Sequence, residues 1–192
     1  VALFADPVIC AYNYVFDPEV YFRRFFGTEI KRNYTLLIDE AHNLVERARD
    51  MYSATLVKEH FLQAKAEMSF YPPAANALQA CNRALLALRH EHAQFAVLDS
   101  VDILYNSLLR LCSVLDTFHS EQLGTLPEFT TDLYFNARHF MNMYDEADDH
   151  YRFYCDYTED NRFLVRLQCM DPSRPLETRL SLCRSSILFS AT

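Results

Sequence analysis

Tyr34-Thr35-Leu36-Leu37-Ile38-Asp39-Glu40-Ala41-His42 is the stretch on which the reading of this chain turns. Residues 34–38 form a continuous apolar, β-prone run, the pattern of a strand covered on both faces as in a parallel sheet. Asp39, Glu40 and His42 follow at its carboxyl end, where open α/β sheets place their ligands. The residue types suit phosphate chemistry. A strand-end Asp can hold Mg²⁺ against β- and γ-phosphates. An adjacent Glu can orient or deprotonate an attacking water. A nearby His can sense the γ-phosphate and pass that state on. The plainer alternative is an acidic helix N-terminus, where Asp and Glu favour the dipole and His42 is incidental. A zincin is excluded, because H-E-x-x-H is absent.

Working outward, residues 185–189 form a second apolar strand, ending in Ser190-Ala191-Thr192. The two strands are expected side by side in one small sheet, with everything between them budding outward. Upstream, residues 8–12 read as a short strand after Pro7, and Asp17-Pro18 as an N-cap followed by Pro at the first helical position. Between the strands the pattern is mostly helical. Residues 44–70 read as one helix with Leu44, Ala48, Met51 and Tyr52 on a stripe, broken by Pro72-Pro73. Residues 74–92, 100–120 (capped by Ser100) and 127–146 give three more. Residues 151–157 and 162–170 alternate as a hairpin, and residues 176–183 form a short helix. The fold class is therefore α+β and mostly helical: a four-helix-type insertion with a β-hairpin, flanked by a small α/β remnant.

Composition narrows the chemistry. The chain has 192 residues, 51% of them hydrophobic, so it can bury a core. No run approaches the roughly 20 apolar residues of a membrane span. The N-terminus has no basic segment and cleavage pattern of a signal peptide. The net charge of −8 argues against a non-specific nucleic-acid coat. Only Gly27 and Gly124 are glycines, so neither a P-loop nor a dinucleotide fingerprint can be written in this chain. The six cysteines include no C-x-x-C pair, and Cys10 and Cys112 read as small buried hydrophobes, reduced in a cytoplasmic setting. His119, His139 and His150 have no partner at ligand spacing.

Three segments resemble the XPD/DinG-like branch of superfamily 2 DNA helicases. They are Tyr12-Asn13-Tyr14-Val15-Phe16-Asp17-Pro18, Leu36-Leu37-Ile38-Asp39-Glu40-Ala41-His42-Asn43-Leu44 and Leu188-Phe189-Ser190-Ala191-Thr192. Tyr157-Thr158-Glu159 and Cys169-Met170-Asp171-Pro172-Ser173 are similar to bacterial DinG-like members. The resemblance implies a RecA-like motor remnant over residues 1–43 carrying motif II (a DEAH box), an arch domain over 44–184, and a motor strand with motif III over 185–192. Asp39 would help hold Mg²⁺, Glu40 would activate water, and His42 would couple to Ser190 and Thr192. The implied whole enzyme uses ATP and Mg²⁺, moves on single-stranded DNA, unwinds duplex 5′ to 3′ and serves DNA repair. Its P-loop and the cysteines of its 4Fe–4S cluster would precede this chain, and its second motor domain would follow. Cys10 is by position not a cluster ligand. The chain is thus expected to be a piece of a larger enzyme, inactive as an ATPase alone and with no cofactor of its own.

Arg23 and Arg24 beside Phe25 and Phe26, and Arg138 beside His139 and Phe140, are candidate DNA contacts of the basic-plus-aromatic kind. The alternative is aromatic core with solvated charge. Residues 44–184 carry 14 basic against 20 acidic residues, which predicts weak or no DNA binding by the chain alone. The run Asp145-Glu146-Ala147-Asp148-Asp149 would repel phosphate. A rival of another class is a helical interaction module that recruits a protein partner through the insertion, with the motif vestigial.

Overall fold

The computed structural model describes residues 7–27, 33–92 and 94–190. Its elements run α1 (Asn13–Phe16), α2 (Arg23–Phe26), β1 (Thr35–Ile38), a 3₁₀ turn (Ala41–Asn43), α3 (Leu44–Met51), β2 (Ala54–Val57), α4 (Lys58–Glu67), α5 (Pro72–Glu91), β3 (Ala96–Leu98), α6 (Asp102–Ser120), α7 (Glu128–Glu146), β4 (Tyr151–Tyr157), β5 (Phe163–Cys169), α8 (Ser173–Ser181) and β6 (Ser185–Leu188). The fold is α+β and mostly helical. It divides into two compact units, residues 1–52 with 169–192, and residues 53–168. No described helix is long and apolar enough to cross a membrane.

The larger unit, residues 53–168, holds helices α4–α7 and a four-stranded sheet in the order β2-β5-β4-β3. α4 packs on α5, α5 on α6, α6 on α7 and α7 back on α4, closing a four-helix ring, while α7 also meets β2. Pro72 and Pro73 open α5, where a missing N–H costs nothing. The α5 face that turns inward is Ala74, Ala77, Leu78, Cys81, Ala84 and Leu85, at three- and four-residue spacing. Leu104, Leu108, Leu111, Leu115 and Phe118 do the same on α6. Ser100 Oγ accepts the Asp102 N–H at 3.0 Å, holding the entry to α6. In the sheet, β5 buries Phe163, Val165, Leu167 and Cys169 in strict alternation. The β4–β5 turn closes through the Thr158 N–H to Arg162 O (2.8 Å), with Asn161 at φ 59°, a conformation asparagine tolerates better than most residues. Gly124 follows α6 at φ 150°, where a side chain would be strained.

The smaller unit contains a parallel pair, β1 and β6, in register from Thr35↔Ser185 to Ile38↔Leu188. α1 packs against α3 and α8. Tyr52 is buried and donates to Phe16 O at 2.6 Å, joining the end of α3 to α1. Arg179 of α8 lies 3.8 Å over the Tyr21 ring and reaches Phe26 O at 3.3 Å.

Several expectations need correction. Residues 44–70 are not one helix: α3 stops at Met51, and residues 54–57 leave as β2 to pair with β5. Residues 8–12 form no strand, and Cys10 is exposed rather than buried. Asp17 accepts the N–H groups of Glu19 (2.9 Å) and Val20 (3.3 Å), yet only a turn results, and helix resumes for one turn at Arg23. The larger compact unit spans residues 53–168, and α3 and α8 group with the smaller unit.

Candidate active site

The site grows from the carboxyl end of β1. Ile38 is buried, and the chain turns as soon as it leaves the strand. Asp39 Oδ1 accepts the Glu40 N–H at 2.8 Å, tightening that turn. Glu40 takes a left-handed conformation, φ 50° and ψ 41°, which costs a residue with a Cβ about 1–2 kcal/mol. Backbone in such a state persists where its surroundings hold it. Here they do so from two sides. β6 runs alongside, with the Phe189 N–H on Ile38 O and the Ala41 N–H on Phe189 O, both at 3.0 Å. From upstream, the Tyr12 hydroxyl donates to Asp39 O and to Glu40 O, the latter at 2.9 Å. Partial burial, Asp39 and Glu40 all push the Tyr12 phenol above its ordinary value, so it stays a donor.

His42 sits on the following 3₁₀ turn. Its Nδ1 lies 2.9 Å from Ser190 Oγ and 3.3 Å from Glu40 Oε2. A carboxylate only accepts, so the contact with Glu40 requires a hydrogen on Nδ1. The imidazole thus spans a carboxylate after β1 and a hydroxyl after β6, and His42 and Ser190 are 148 positions apart in sequence. Glu40 and His42 side chains are each about half exposed, open to a ligand.

Asp39 is exposed, and of its two carboxylate oxygens only Oδ1 has a hydrogen-bond partner among the described residues. A hard carboxylate oxygen at a strand end matches Mg²⁺, which takes one or two protein carboxylates and completes its shell with water and phosphate. The donor chemistry therefore fits that ion.

The structure brings Asp39, Glu40, His42 and Ser190 together. Thr192 lies outside the described residues. Arg23 and Arg24 are exposed on α2. Arg138 is committed elsewhere: its guanidinium donates to the Tyr134 hydroxyl at 2.7 Å and lies 3.6 Å from Asp116. Asp145, in the acidic run, accepts the Tyr105 hydroxyl at 2.6 Å. His150 has ligating atoms within 4.8 Å of those of Asp148 and Asp149, a proximity its spacing did not suggest; exposed acidic groups of this kind are common without an ion. Spacing also assigned no role to Tyr12, since it touches backbone oxygens and leaves no trace in the residue types it contacts.

Residues 2–61 match the DEAD_2 family model. Over 66 residues the chain is 33% identical to the Fanconi anemia group J protein homolog of chicken (Gallus gallus), a match spanning 34% of this chain and 5% of that protein. By these two matches about a third of the chain is similar to DEAD_2-type proteins. Neither match singles out the DinG-like branch.

Proposed function

We propose that this chain supplies the hydrolytic and coupling part of an ATP-dependent DNA helicase. Glu40 orients and deprotonates the water that attacks the γ-phosphate. Asp39 would hold Mg²⁺, whose charge neutralises the phosphates. His42 reports the state of that carboxylate to Ser190, and through β6 to the rest of the motor. Single-stranded DNA is the track, and residues 53–168 act as a guide beside it rather than a grip, as their acidic balance favours. A sheet needs more than two strands and a covered face to stand. Leu37 (68% exposed), Ile187 (53%) and Leu188 (51%) are uncovered on β1 and β6, which supports their belonging to a larger motor sheet.

One observation carries this reading: the 2.9 Å contact between His42 and Ser190, which ties the turn after β1 to the turn after β6. The test is made on the full-length protein. Glu40→Gln removes the base and lowers ATP turnover by roughly 10²–10⁴-fold. Ser190→Ala leaves turnover within a few-fold but suppresses unwinding. Unchanged turnover in Glu40→Gln removes Glu40 from the mechanism, and unwinding intact in Ser190→Ala removes the coupling contact.

A further inference from the structure

Glu40 stands in a backbone conformation that its own side chain disfavours, and three contacts keep it there. Two come from β6: the Phe189 backbone on Ala41, and Ser190 on His42. The third comes from the opposite direction in sequence, from Tyr12 at the entry to α1. Its hydroxyl proton is shared between the carbonyl oxygens of Asp39 and Glu40, the two residues whose carboxylates the hydrolytic reading uses. The ring also meets Phe16 edge to face at 6.4 Å, a contact that does not use the hydroxyl. The hydroxyl therefore adds one thing: it fixes the orientation of two successive carbonyls. The peptide plane that carries the Asp39 carbonyl also carries the Glu40 N–H, which holds Asp39 Oδ1. Fixing that carbonyl fixes the direction of the Asp39 carboxylate. Fixing the Glu40 carbonyl keeps it aimed back at the Asn43 N–H (2.9 Å), which starts the turn bearing His42.

We propose, resting on the hydrolytic reading above, that Tyr12 is a positioning residue for this site. Through one hydroxyl it sets the directions of Asp39, Glu40 and His42.

Two measurements on the full-length protein test this, each comparing wild type with Tyr12→Phe. The first is ATP hydrolysis. Loss of orientation lowers kcat by roughly 10- to 100-fold, while KM for ATP moves less than about two-fold. The second is hydrogen exchange of the backbone amides of residues 40–43, where Tyr12→Phe speeds exchange locally and leaves the thermal midpoint and exchange elsewhere unchanged. Tyr14→Phe, whose ring stacks on Phe22 at 4.7 Å, serves as the control and alters neither. The proposal is overturned if exchange at 40–43 is the same in both proteins. It is also overturned if kcat is unchanged in an active enzyme, or if the losses come with a general fall in stability. A wild-type protein that hydrolyses no ATP removes the hydrolytic reading instead, and the exchange comparison still decides whether Tyr12 holds the loop.

Discussion

His60 shows how a single residue in the larger unit ties stability to pH. Burial lowers its readiness to take a proton, and the Arg162 guanidinium, 3.4 Å from Nε2, lowers it further against the opposing pull of Glu59. The ring also stands edge-on to Phe129 at 5.4 Å, a contact that the neutral imidazole makes without cost. In the unfolded chain His60 titrates near its ordinary 6.5. The folded state therefore binds this proton less readily than the unfolded state. Its contribution is fully present above pH 6.5 and is lost as pH falls from there through the lowered folded value. Wild-type stability should decline as pH drops through this window, with His60 responsible for less than about 1 kcal/mol because the ring is only half-buried. Urea midpoints at about pH 7.5 and about pH 5 check it: His60→Gln should shrink the difference between the two pH values relative to wild type. An unaltered difference would assign the pH dependence to other groups.

Elements, rather than single residues, set the shape of the helical ring, and α4 and α7 are joined by one carboxylate. Glu67 Oε2 at the end of α4 accepts both the N–H (3.1 Å) and the hydroxyl (2.7 Å) of Thr130 in the first turn of α7. Thr130 is fully buried, so water cannot replace that acceptor. Glu67→Ala should destabilise the protein by about 1–3 kcal/mol, the cost of a buried polar group left without its partner. Glu67→Gln keeps an oxygen at the same position and should cost clearly less; equal losses in urea unfolding would mean that the negative charge of Glu67, and not an acceptor oxygen in that place, holds Thr130. The sequence announced α5, α6 and α7 because each carries an apolar stripe sustained over five turns with a Pro or Ser at its start. It misled over residues 54–57. Ala54, Leu56 and Val57 continue the apolar stretch after α3, and four residues are too few to show a change of period. What makes them a strand is pairing with Leu164–Leu167, over a hundred residues away, which local pattern does not encode. Residues 8–12 failed in the opposite sense: the residue types favour a strand, yet they find no partner in the sheets described, and a lone extended segment gains no ladder bonds. At the site, Asp39, Glu40 and His42 were legible because phosphate chemistry demands those types after a strand. Ser190 came from the resemblance to a helicase family and not from spacing or pattern. Tyr12 was not legible, because a bond to a carbonyl oxygen can be made to any residue.

At the scale of the whole chain, two units separate at residues 52/53 and 168/169, and the ends of the larger one are neighbours. Ala54 stands opposite Leu167 across the β2–β5 ladder, and Gln168 donates to Ser53 Oγ at 3.0 Å. A unit whose ends meet can be cut out as one piece, the cut at 168/169 leaving only Cys169, the last residue of β5, behind. It carries many core side chains of its own: Phe61, Phe118, Phe140 and Phe163 are all fully buried. The smaller unit has no such closure, with a two-stranded sheet and exposed apolar side chains on both strands. Residues 53–168 expressed alone should therefore fold into a helical protein. It should unfold in urea in one cooperative transition, with a slope of about 1–3 kcal/mol per molar as expected for a domain of this size. Residues 1–52 linked to 169–192 should instead give no cooperative transition and associate through the bare strands. Circular dichroism and urea titration of the two pieces decide the matter. A larger unit that fails to fold alone would show that its helical ring depends on the β1–β6 segment, and that residues 53–168 are not an independent body carried between β1 and β6.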